Sequence, residues 1–393
     1  MMRDDKIDFF LLLFYSLLPG ISKVLNSQLF MLLYVPIILY FLFKEKIQLY
    51  KIDISFILFF SFVFLYSLLI CIDYKTSKIG IFLGLGLDYV PMLGFLLFRK
   101  KNLEIVFKSV IYIVFIHSII GIYLYPPFGI ADISNPTIRS LTKGVAFGRM
   151  ASVSGSLGFG NLILVGFVCA FYYNKLFACL FIFPLIFSAQ RSAWIGAFLT
   201  LLLHFFFLLK KGRIMKVYRI IGVLILLLII IIFIIQKYVN FDFSFIYTRF
   251  THIFDGASEG GNLRIKLWQN GIDNFLQNPL GTGIGQVGQV GSRYIKAGEY
   301  NVCPDGDYFR MLSEYGINFI FFFFVVIFLF LLLPFISCND RKSQCLYTIT
   351  FVTAFQLIGS NVTEFYFDNF LFWIFLGLNF YNSKFLLKEV AVI

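Results

Sequence analysis

The amino-acid sequence predicts an all-α polytopic membrane protein with about twelve transmembrane helices and one long hydrophilic loop. Of its 393 residues, 60% are hydrophobic and only 14% are charged, and the mean hydropathy is +0.86. Apolar runs of roughly the 17–25 residues that cross a bilayer as a helix recur along the chain, and one polar stretch at residues 236–316 interrupts them. This composition excludes a water-soluble globular protein.

The predicted spans are helical because a bilayer offers the backbone no hydrogen-bond partners outside the chain. In order they cover residues 7–19, 28–43, 52–72, 79–98, 103–125, 151–173, 176–189, 193–209, 214–235, 317–337, 346–359 and 365–381. The chain thereby divides into a transmembrane region of about nine helices at 1–235, the long loop at 236–316, and a region of about three helices at 317–393.

The distribution of Lys and Arg predicts the orientation. More than half of the 33 basic residues fall in the loops and tails on one side, so the positive-inside rule places both termini in the cytoplasm and the long loop on the extracytoplasmic side. On the cytoplasmic side, contact with anionic lipid explains the charge. The arginines on the outer side oppose the rule, and they suggest an anionic ligand such as a lipid pyrophosphate.

Cysteine and histidine usage predicts neither a disulfide framework nor a metal site. Most of the six cysteines lie in or beside spans, and the three histidines are scattered without metal-ligand spacing. We therefore expect no cofactor and no metal, and nothing in the sequence predicts a nucleic-acid partner. The first span lacks a small-residue cleavage site, so we expect it to be retained as a span.

The long loop contains an amphipathic helix at residues 262–277, whose apolar residues form one stripe. Arg264 and Trp268 lie one turn apart on it, which places a cation beside an indole at the depth of the membrane interface. An ordinary interfacial anchor is the alternative interpretation. The glycine-rich run 279–288 follows this helix and predicts a flexible turn where backbone approaches a bulky substrate.

A second short helix follows in the loop and leads into the next span. Asp307, Arg310 and Glu314 share one of its faces and form a charged stripe where the helix meets the bilayer. Asp305 or Asp307 could instead simply cap this helix.

Further charged residues lie at or within predicted spans, where an unpaired charge is costly. Arg149 enters one span, and Arg191 lies in a turn so short that it must be close to hydrocarbon. Asp88 is in the middle of a span and could pair with an arginine. Glu364 and Asp368 could do the same at the start of the last span, and a structural role for these acids is at least as well supported as a catalytic one.

In this order the motifs resemble those of the bacterial O-antigen polymerases and O-antigen ligases. The resemblance covers roughly residues 145–320 of the chain. The motifs are Arg149, Ser-x-x-Arg-Ser-Ala-Trp ending at Trp194, Arg264-x-x-x-Trp268, Asn-Pro-Leu-Gly-x-Gly at 278–283, and Glu-x-Gly at 314–316.

The resemblance implies a GT-C-like, metal-independent glycosyltransferase that uses undecaprenyl-pyrophosphate-linked oligosaccharides as donor and acceptor. It would act on the periplasmic face of the bacterial cytoplasmic (inner) membrane, so that the long loop is periplasmic. Arg191 and Arg264, supported by Arg149 and Arg310, would bind the donor pyrophosphate. A carboxylate would deprotonate the acceptor hydroxyl, with three candidates at Asp305, Asp307 and Glu314. Trp268 and Tyr308 would contact lipid or sugar. Membrane lipids are expected partners, and a chain-length regulator protein is left open.

One departure from the family pattern favours a polymerase. The last motif of the ligases usually opens with His-Asn, whereas this chain has Asp305-Gly306 followed by the Asp-Tyr of some polymerases. We therefore predict a polymerase that joins oligosaccharide repeat units of a surface polysaccharide. The alternatives are a ligase that transfers glycan to lipid A core, a flippase or transporter of lipid-linked oligosaccharide, and a membrane scaffold.

Overall fold

The computed structural model describes residues 3–25, 33–44, 49, 51–73, 78–99, 101–125, 128, 130–132, 134–142, 149–212, 247–248, 259–288, 306–325, 331–336 and 338–383. The predicted span 214–235 and the candidate acid Asp305 lie outside these residues. All the elements of regular structure in the described ranges are helices.

The first nine helices belong to the predicted N-terminal region. They are α1 (Arg3–Val24), α2 (Tyr34–Lys44), α3 (Lys51–Asp73), α4 (Lys78–Met92), α5 (Leu103–Leu124), α6 (Pro136–Thr142), α7 (Gly155–Tyr173), α8 (Lys175–Phe187) and α9 (Arg191–Lys210). A 3₁₀ turn, Leu93–Leu96, continues α4.

The remaining helices include the two predicted in the loop. They are α10 (Glu259–Gln277), α11 (Asp307–Tyr315), α12 (Ile317–Val325), α13 (Leu333–Ile336), α14 (Arg341–Gln356) and α15 (Tyr366–Asn382), with a 3₁₀ turn at Val362–Glu364 before α15. The predicted amphipathic helix is therefore present as α10, and the short helix that leads into the next span is present as α11.

Helix ends differ from the prediction where local signals were ambiguous. α1 continues through Pro19 to Val24, which a proline in a transmembrane helix permits because neighbouring groups satisfy the freed backbone. α14 begins at Arg341, well before the predicted start of its span. Its first turns carry Ser343 and Gln344, and both side chains are buried against protein rather than lipid.

The surface of the bundle is apolar, as expected for a membrane protein. Among the described residues, four helices are long and apolar enough to cross a membrane, namely Lys6–Val24, Asp53–Cys71, Leu103–Leu124 and Arg191–Lys210. Along α3, large hydrophobic side chains are more than half exposed at Leu58, Phe62, Leu65 and Leu69, a spacing that forms one stripe facing away from the protein. Such a stripe fits acyl chains rather than water. The predicted number of spans and their orientation stay predictions.

Two helices form the centre of the bundle and position the site. α7 packs against α5, α8, α9 and α14. α15 packs against α4, the Leu93–Leu96 turn and α14, and nearly all of its side chains are buried. The beginnings of α7, α9 and α15 lie in neighbouring segments, because hydrogen bonds described below connect them. The charged residues of the sequence motifs collect around these helix starts.

Candidate functional site

Arg310 occupies the centre of a buried ionic cluster. Its guanidinium donates to Asp88 at 2.8 and 3.2 Å, to Glu314 at 2.6 Å, to Thr363 Oγ1 at 2.8 Å and to Asp307 at 3.4 Å. An arginine has five N–H donors, and these five contacts account for all of them. Arg310 is therefore the arginine with which the mid-span Asp88 pairs.

The carboxylates of this cluster are fixed by further hydrogen bonds. Thr363 donates from its backbone nitrogen to Asp307 at 2.8 Å, and its hydroxyl contacts the same carboxylate. Tyr315 donates to Asp88 at 2.6 Å, and the backbone nitrogen of Val287 donates to Glu314 at 3.2 Å. The cluster thus joins α4, α11, the end of the glycine-rich run and the turn before α15.

Burial changes the titration of the two acids on α11, which lies outside the predicted spans. It raises the pKa of Asp307 to about 7, although Arg310 and the hydrogen bonds from Thr363 oppose the shift. Burial likewise raises the pKa of Glu314, and Arg310 again opposes it. Neither side chain has any exposed surface. In this structure both acids are therefore held away from the protein surface.

The Asn-Pro-Leu-Gly-x-Gly motif at 278–283 and the Glu-x-Gly motif at 314–316 pack against each other at the end of α11. Backbone nitrogens of Thr282 and Gly283 donate to the carbonyls of Ser313 and Glu314 at 3.0 Å, which satisfies the last carbonyls of the helix. A methyl group on Gly281 would lie 2.4 Å from the Glu314 carbonyl oxygen. One on Gly316 would lie 2.3 Å from the Pro279 carbonyl oxygen. Asn-Pro-Leu-Gly and Glu-x-Gly are thus packing partners, and the described part of the predicted substrate turn is packed against protein.

Helix α10 lies on α11 and carries Arg264. The ring of Trp268 stacks on that of Phe309 with centroids 5.3 Å apart, and the Ser313 hydroxyl donates to the carbonyl of Gly271 at 2.9 Å. Trp268 is therefore a contact between the two loop helices. Its side chain and that of Arg264 are both half-buried.

Arg191 is the first residue of α9 and follows a tight turn. Ala189 in that turn has a φ of 49°, a conformation uncommon for a non-glycine residue. Trp194 donates from its indole nitrogen to the carbonyl of Leu185 at 2.9 Å, which fastens α9 to the end of α8. Arg149 belongs to a neighbouring segment, because the next residue, Met150, donates from its backbone nitrogen to the carbonyl of Phe187 at 2.7 Å.

The structure brings Arg191 and Arg264 close enough for mutual repulsion, although they are far apart in the sequence. Arg191 is half-buried, and no described carboxylate lies within ion-pair distance of it. It also stands at a helix N-terminus, the positive end of the helix dipole. Two cations and a positive helix end face the same region. This arrangement favours a bound anion.

The remaining predicted residues contribute to packing in this structure. Tyr308 donates from its hydroxyl to the carbonyl of Ala354 at 2.7 Å and packs against Phe319 and Phe323. Arg310 is in the ionic cluster, where all five of its N–H donors are used. It therefore has no further donor for the predicted contact with pyrophosphate. Arg149, Arg191 and Arg264 are the half-buried members of the predicted pyrophosphate set.

Several residues of the site were not assigned a role from the sequence. Thr363 contacts both Arg310 and Asp307, and no motif marks it. Asn361 donates to Glu364 at 2.8 Å, and this half-exposed acid lies near enough to Asp307 and Glu314 to interact with them electrostatically, at the edge of the ionic cluster. Gln190 lies inside the motif Ser-x-x-Arg-Ser-Ala-Trp, at a position that the motif leaves unspecified. Its buried hydrogen bonds are what identify it as part of the site.

Among the described residues, no group of three or more His, Cys, Asp or Glu side chains could hold a metal ion. Comparison with known proteins gives one family. Residues 176–324 match the family model Wzy_C, described as O-antigen ligase. This match supports the resemblance to the O-antigen polymerases and ligases that the motifs indicate, and members of the matched family are glycosyltransferase-like enzymes. A search of curated proteins found no match.

Proposed function

On the premise that the family match supports the O-antigen polymerase and ligase superfamily, we propose that this protein is a surface-polysaccharide polymerase. It transfers the growing glycan from undecaprenyl pyrophosphate to the non-reducing end of a lipid-linked repeat unit at the periplasmic face. The observation that supports this most directly is the approach of Arg191 and Arg264, two half-buried arginines from separate motifs. A pyrophosphate leaving group needs a concentrated positive charge of this kind.

In the proposed reaction, the acceptor hydroxyl attacks C1 of the donor sugar as the bond between C1 and the pyrophosphate oxygen breaks. Arg191 and Arg264 neutralise the charge that develops on the departing pyrophosphate. One guanidinium group can donate to two phosphate oxygens at once. Arg149 lies in the segment bonded to the turn before Arg191, so it can support the same anion. No metal is required in this scheme, because the arginines supply the positive charge.

The base that accepts the proton of the acceptor hydroxyl has to reach a surface. Asp307 and Glu314 are fully buried and bonded to Arg310, so we assign them structural roles. Asp305 is the one predicted acid outside the described residues, two positions from the cluster in sequence. Glu364 is half-exposed at the edge of the same cluster. We propose Asp305 first and Glu364 second as the general base.

A polymerase is favoured over a ligase by the sequence of the last motif. The ligases place a histidine there, and this chain has Asp305-Gly306. Of its three histidines, His117 lies in α5, where its ring nitrogens are 2.9 Å from the hydroxyls of Ser16 and Ser152. His204 lies in α9 with its ring against Phe171.

The test is complementation of a strain that lacks its own polymerase and makes the matching lipid-linked repeat. Wild type should restore a ladder of chain lengths on a gel of surface polysaccharide. Arg191→Ala and Arg264→Ala should give single repeats at equal membrane abundance. Lys266→Ala is the matched control, because Lys266 is exposed on the same helix as Arg264. An unchanged ladder in both arginine variants would show that the site is elsewhere.

A reconstituted assay separates the polymerase from the ligase. Purified protein receives only the lipid-linked repeat unit, and the products are separated by length. Longer lipid-linked chains would support polymerisation. Product that forms only after lipid A core is added would assign the chain to ligation instead. In the same assay, Asp305→Asn and Glu364→Gln decide between the two candidate bases, since only the true base variant should lose transfer while still binding donor.

A further inference from the structure

Arg191 is held in an unfavourable electrostatic position. It carries a positive charge at the positive end of α9, it lies near Arg264, and no described carboxylate is within ion-pair distance. Each of these features favours moving the side chain away. The backbone before it must therefore be fixed by other interactions if the arginine pair is to exist before the ligand binds.

Gln190 provides such interactions directly before Arg191. Its side chain is 5% exposed. Its amide nitrogen lies 2.6 Å from Asn161 Oδ1, 3.0 Å from Ser192 Oγ and 3.2 Å from Ser360 Oγ. The backbone carbonyl of Gln190 accepts hydrogen bonds from the backbone nitrogens of residues 193 and 194, at 3.1 and 3.2 Å. The side chain thus connects the start of α9 to α7 and to the turn before α15.

The backbone of α7 is shaped to admit this side chain. A methyl group on Gly160 would lie 2.0 Å from Gln190 Oε1 and 2.9 Å from its Cβ, closer than any side chain can tolerate. A glycine inside a helix costs about 0.5–1 kcal/mol relative to alanine, so its presence in α7 has a packing reason. Gly160 is therefore the surface against which the amide of Gln190 rests.

The residue that accepts from Gln190 is itself anchored. Asn161 Oδ1 also accepts from Gln356 Nε2 at 3.1 Å, and Gln356 is the last residue of α14. Both glutamines and Asn161 are buried. The start of α9 is thus fixed relative to α7, α14 and the segment at Ser360, which leads into the turn containing Thr363. That turn belongs to the Arg310 cluster, so one polar network relates the two arginine sites.

We propose that Gln190 is a positioning residue for Arg191, and that Gly160 and Asn161 form its seat. The inference rests on the proposed function, because it concerns the pyrophosphate site of that reaction. By holding the first turn of α9, Gln190 keeps the guanidinium beside Arg264 before the lipid pyrophosphate arrives. The free-energy cost of bringing the two arginines together then falls on folding and not on binding. The anion therefore binds more tightly.

A double-mutant cycle tests this proposal. Purified wild type, Gln190→Ala, Arg191→Ala and the double variant are titrated with farnesyl pyrophosphate in detergent. We expect Gln190→Ala to weaken binding about tenfold when Arg191 is present and less than about twofold when it is absent, because the effect of a positioning residue requires the residue it positions. Equal effects in both backgrounds would overturn the proposal.

Two further variants keep the test decisive. Gly160→Ala leaves both Gln190 and Arg191 in the chain but displaces the amide, so it should weaken binding in the same direction. Gln344→Ala is the matched control, since Gln344 is a buried glutamine at the other end of α14, where its side chain donates to the Cys338 carbonyl at 3.4 Å. An equal loss of binding in Gln344→Ala would show a general effect of removing a buried amide and would overturn the proposal.

The donor kinetics give a readout that a purely structural role would not change. With lipid-linked repeat as substrate, Gln190→Ala should raise KM for the donor more than it lowers kcat, and Gln190→Asn should restore part of the loss. Wild type that binds pyrophosphate without forming polymer would overturn the proposed function alone. Polymer formed by wild type with additive effects in the cycle would overturn the positioning role alone.

Discussion

Two arginine sites in this protein use the same residue type in opposite ways. Arg310 is 3% exposed and bonded to three carboxylates and a threonine hydroxyl. Arg191 is half-buried beside another arginine, without a described carboxylate within ion-pair distance. The charge of Arg310 is therefore compensated by carboxylates within its own cluster, whereas the described residues place no carboxylate within ion-pair distance of Arg191. A site whose charges are already compensated stabilises a structure, and a site with uncompensated charge is prepared for a ligand of the opposite sign.

This difference separates residues that the sequence grouped together. Arg149, Arg191, Arg264 and Arg310 were all predicted to bind pyrophosphate, because each is an arginine near the outer surface. In the structure, these four arginines do not share one environment. What distinguishes Arg310 is a carboxylate on α4 and two on its own helix, and the predictions below start from this contrast.

The largest effect is expected from Arg310→Ala. It leaves three carboxylates without their cation, and breaking a buried ion pair in this way typically costs about 3–5 kcal/mol of unfolding free energy. We expect little folded protein in the membrane, measured by abundance and by thermal unfolding in detergent. Arg139→Ala is the control, since Arg139 is exposed on α6 and its loss should change stability by less than about 0.5 kcal/mol. A stable Arg310→Ala variant would contradict the structural assignment.

Arg191→Ala should have the reverse profile. Loss of a group that stabilises charge in the transition state typically lowers the rate by roughly 10²–10³-fold. Stability should be unchanged or slightly higher, because the repulsion with Arg264 is removed. Transfer rate and thermal midpoint are measured on the same preparation. Arg191→Lys keeps the charge and loses the paired donors, so its transfer rate should lie between those of wild type and Arg191→Ala. A full rate in Arg191→Ala would remove this residue from the site.

Anion binding should distinguish the two sites directly. Pyrophosphate at about 100 times its dissociation constant stabilises a protein by about 2.7 kcal/mol. We expect wild type to gain thermal stability with inorganic pyrophosphate, and Arg264→Ala to lose most of this gain. Asp307→Asn should retain it, because the ionic cluster does not contact the anion. Stabilisation that depends on Asp307 and not on Arg264 would reverse the assignment of the two sites.

The smallest effect concerns pH. Burial raises the pKa of Asp307 to about 7, whereas an unfolded aspartate has a pKa of about 3.9, so the folded state holds a proton between these values. Its stabilising contribution is complete below the unfolded pKa and is lost as pH rises through 7. The thermal midpoint should therefore fall between pH 5 and pH 8, and fall less in Asp307→Asn. Asp273→Asn, at an exposed position on α10, should behave as wild type does.

Much of the architecture followed from the sequence. The apolar runs predicted the helices because a bilayer leaves the backbone no alternative, and the amphipathic stripe at 262–277 predicted α10. The lone acid Asp88 indicated that an arginine could be its partner. The motifs also indicated a resemblance to the O-antigen polymerases and ligases, which the match over residues 176–324 supports. These properties depend on neighbouring residues or on the solvent, so a linear pattern can carry them.

Only the tertiary structure decided which charges meet. Asp88 and Arg310 are separated by 222 positions, and Arg191 and Arg264 come from different helices. Their pairing depends on how α4, α9, α10 and α11 are placed, which no local pattern encodes. The same placement seats Gln190 against Gly160, a contact between side chain and backbone that neither residue predicts alone. The sequence thus predicted a group of arginines near one face of the membrane, and packing determined which of them is bonded to carboxylates and which has no described carboxylate within ion-pair distance.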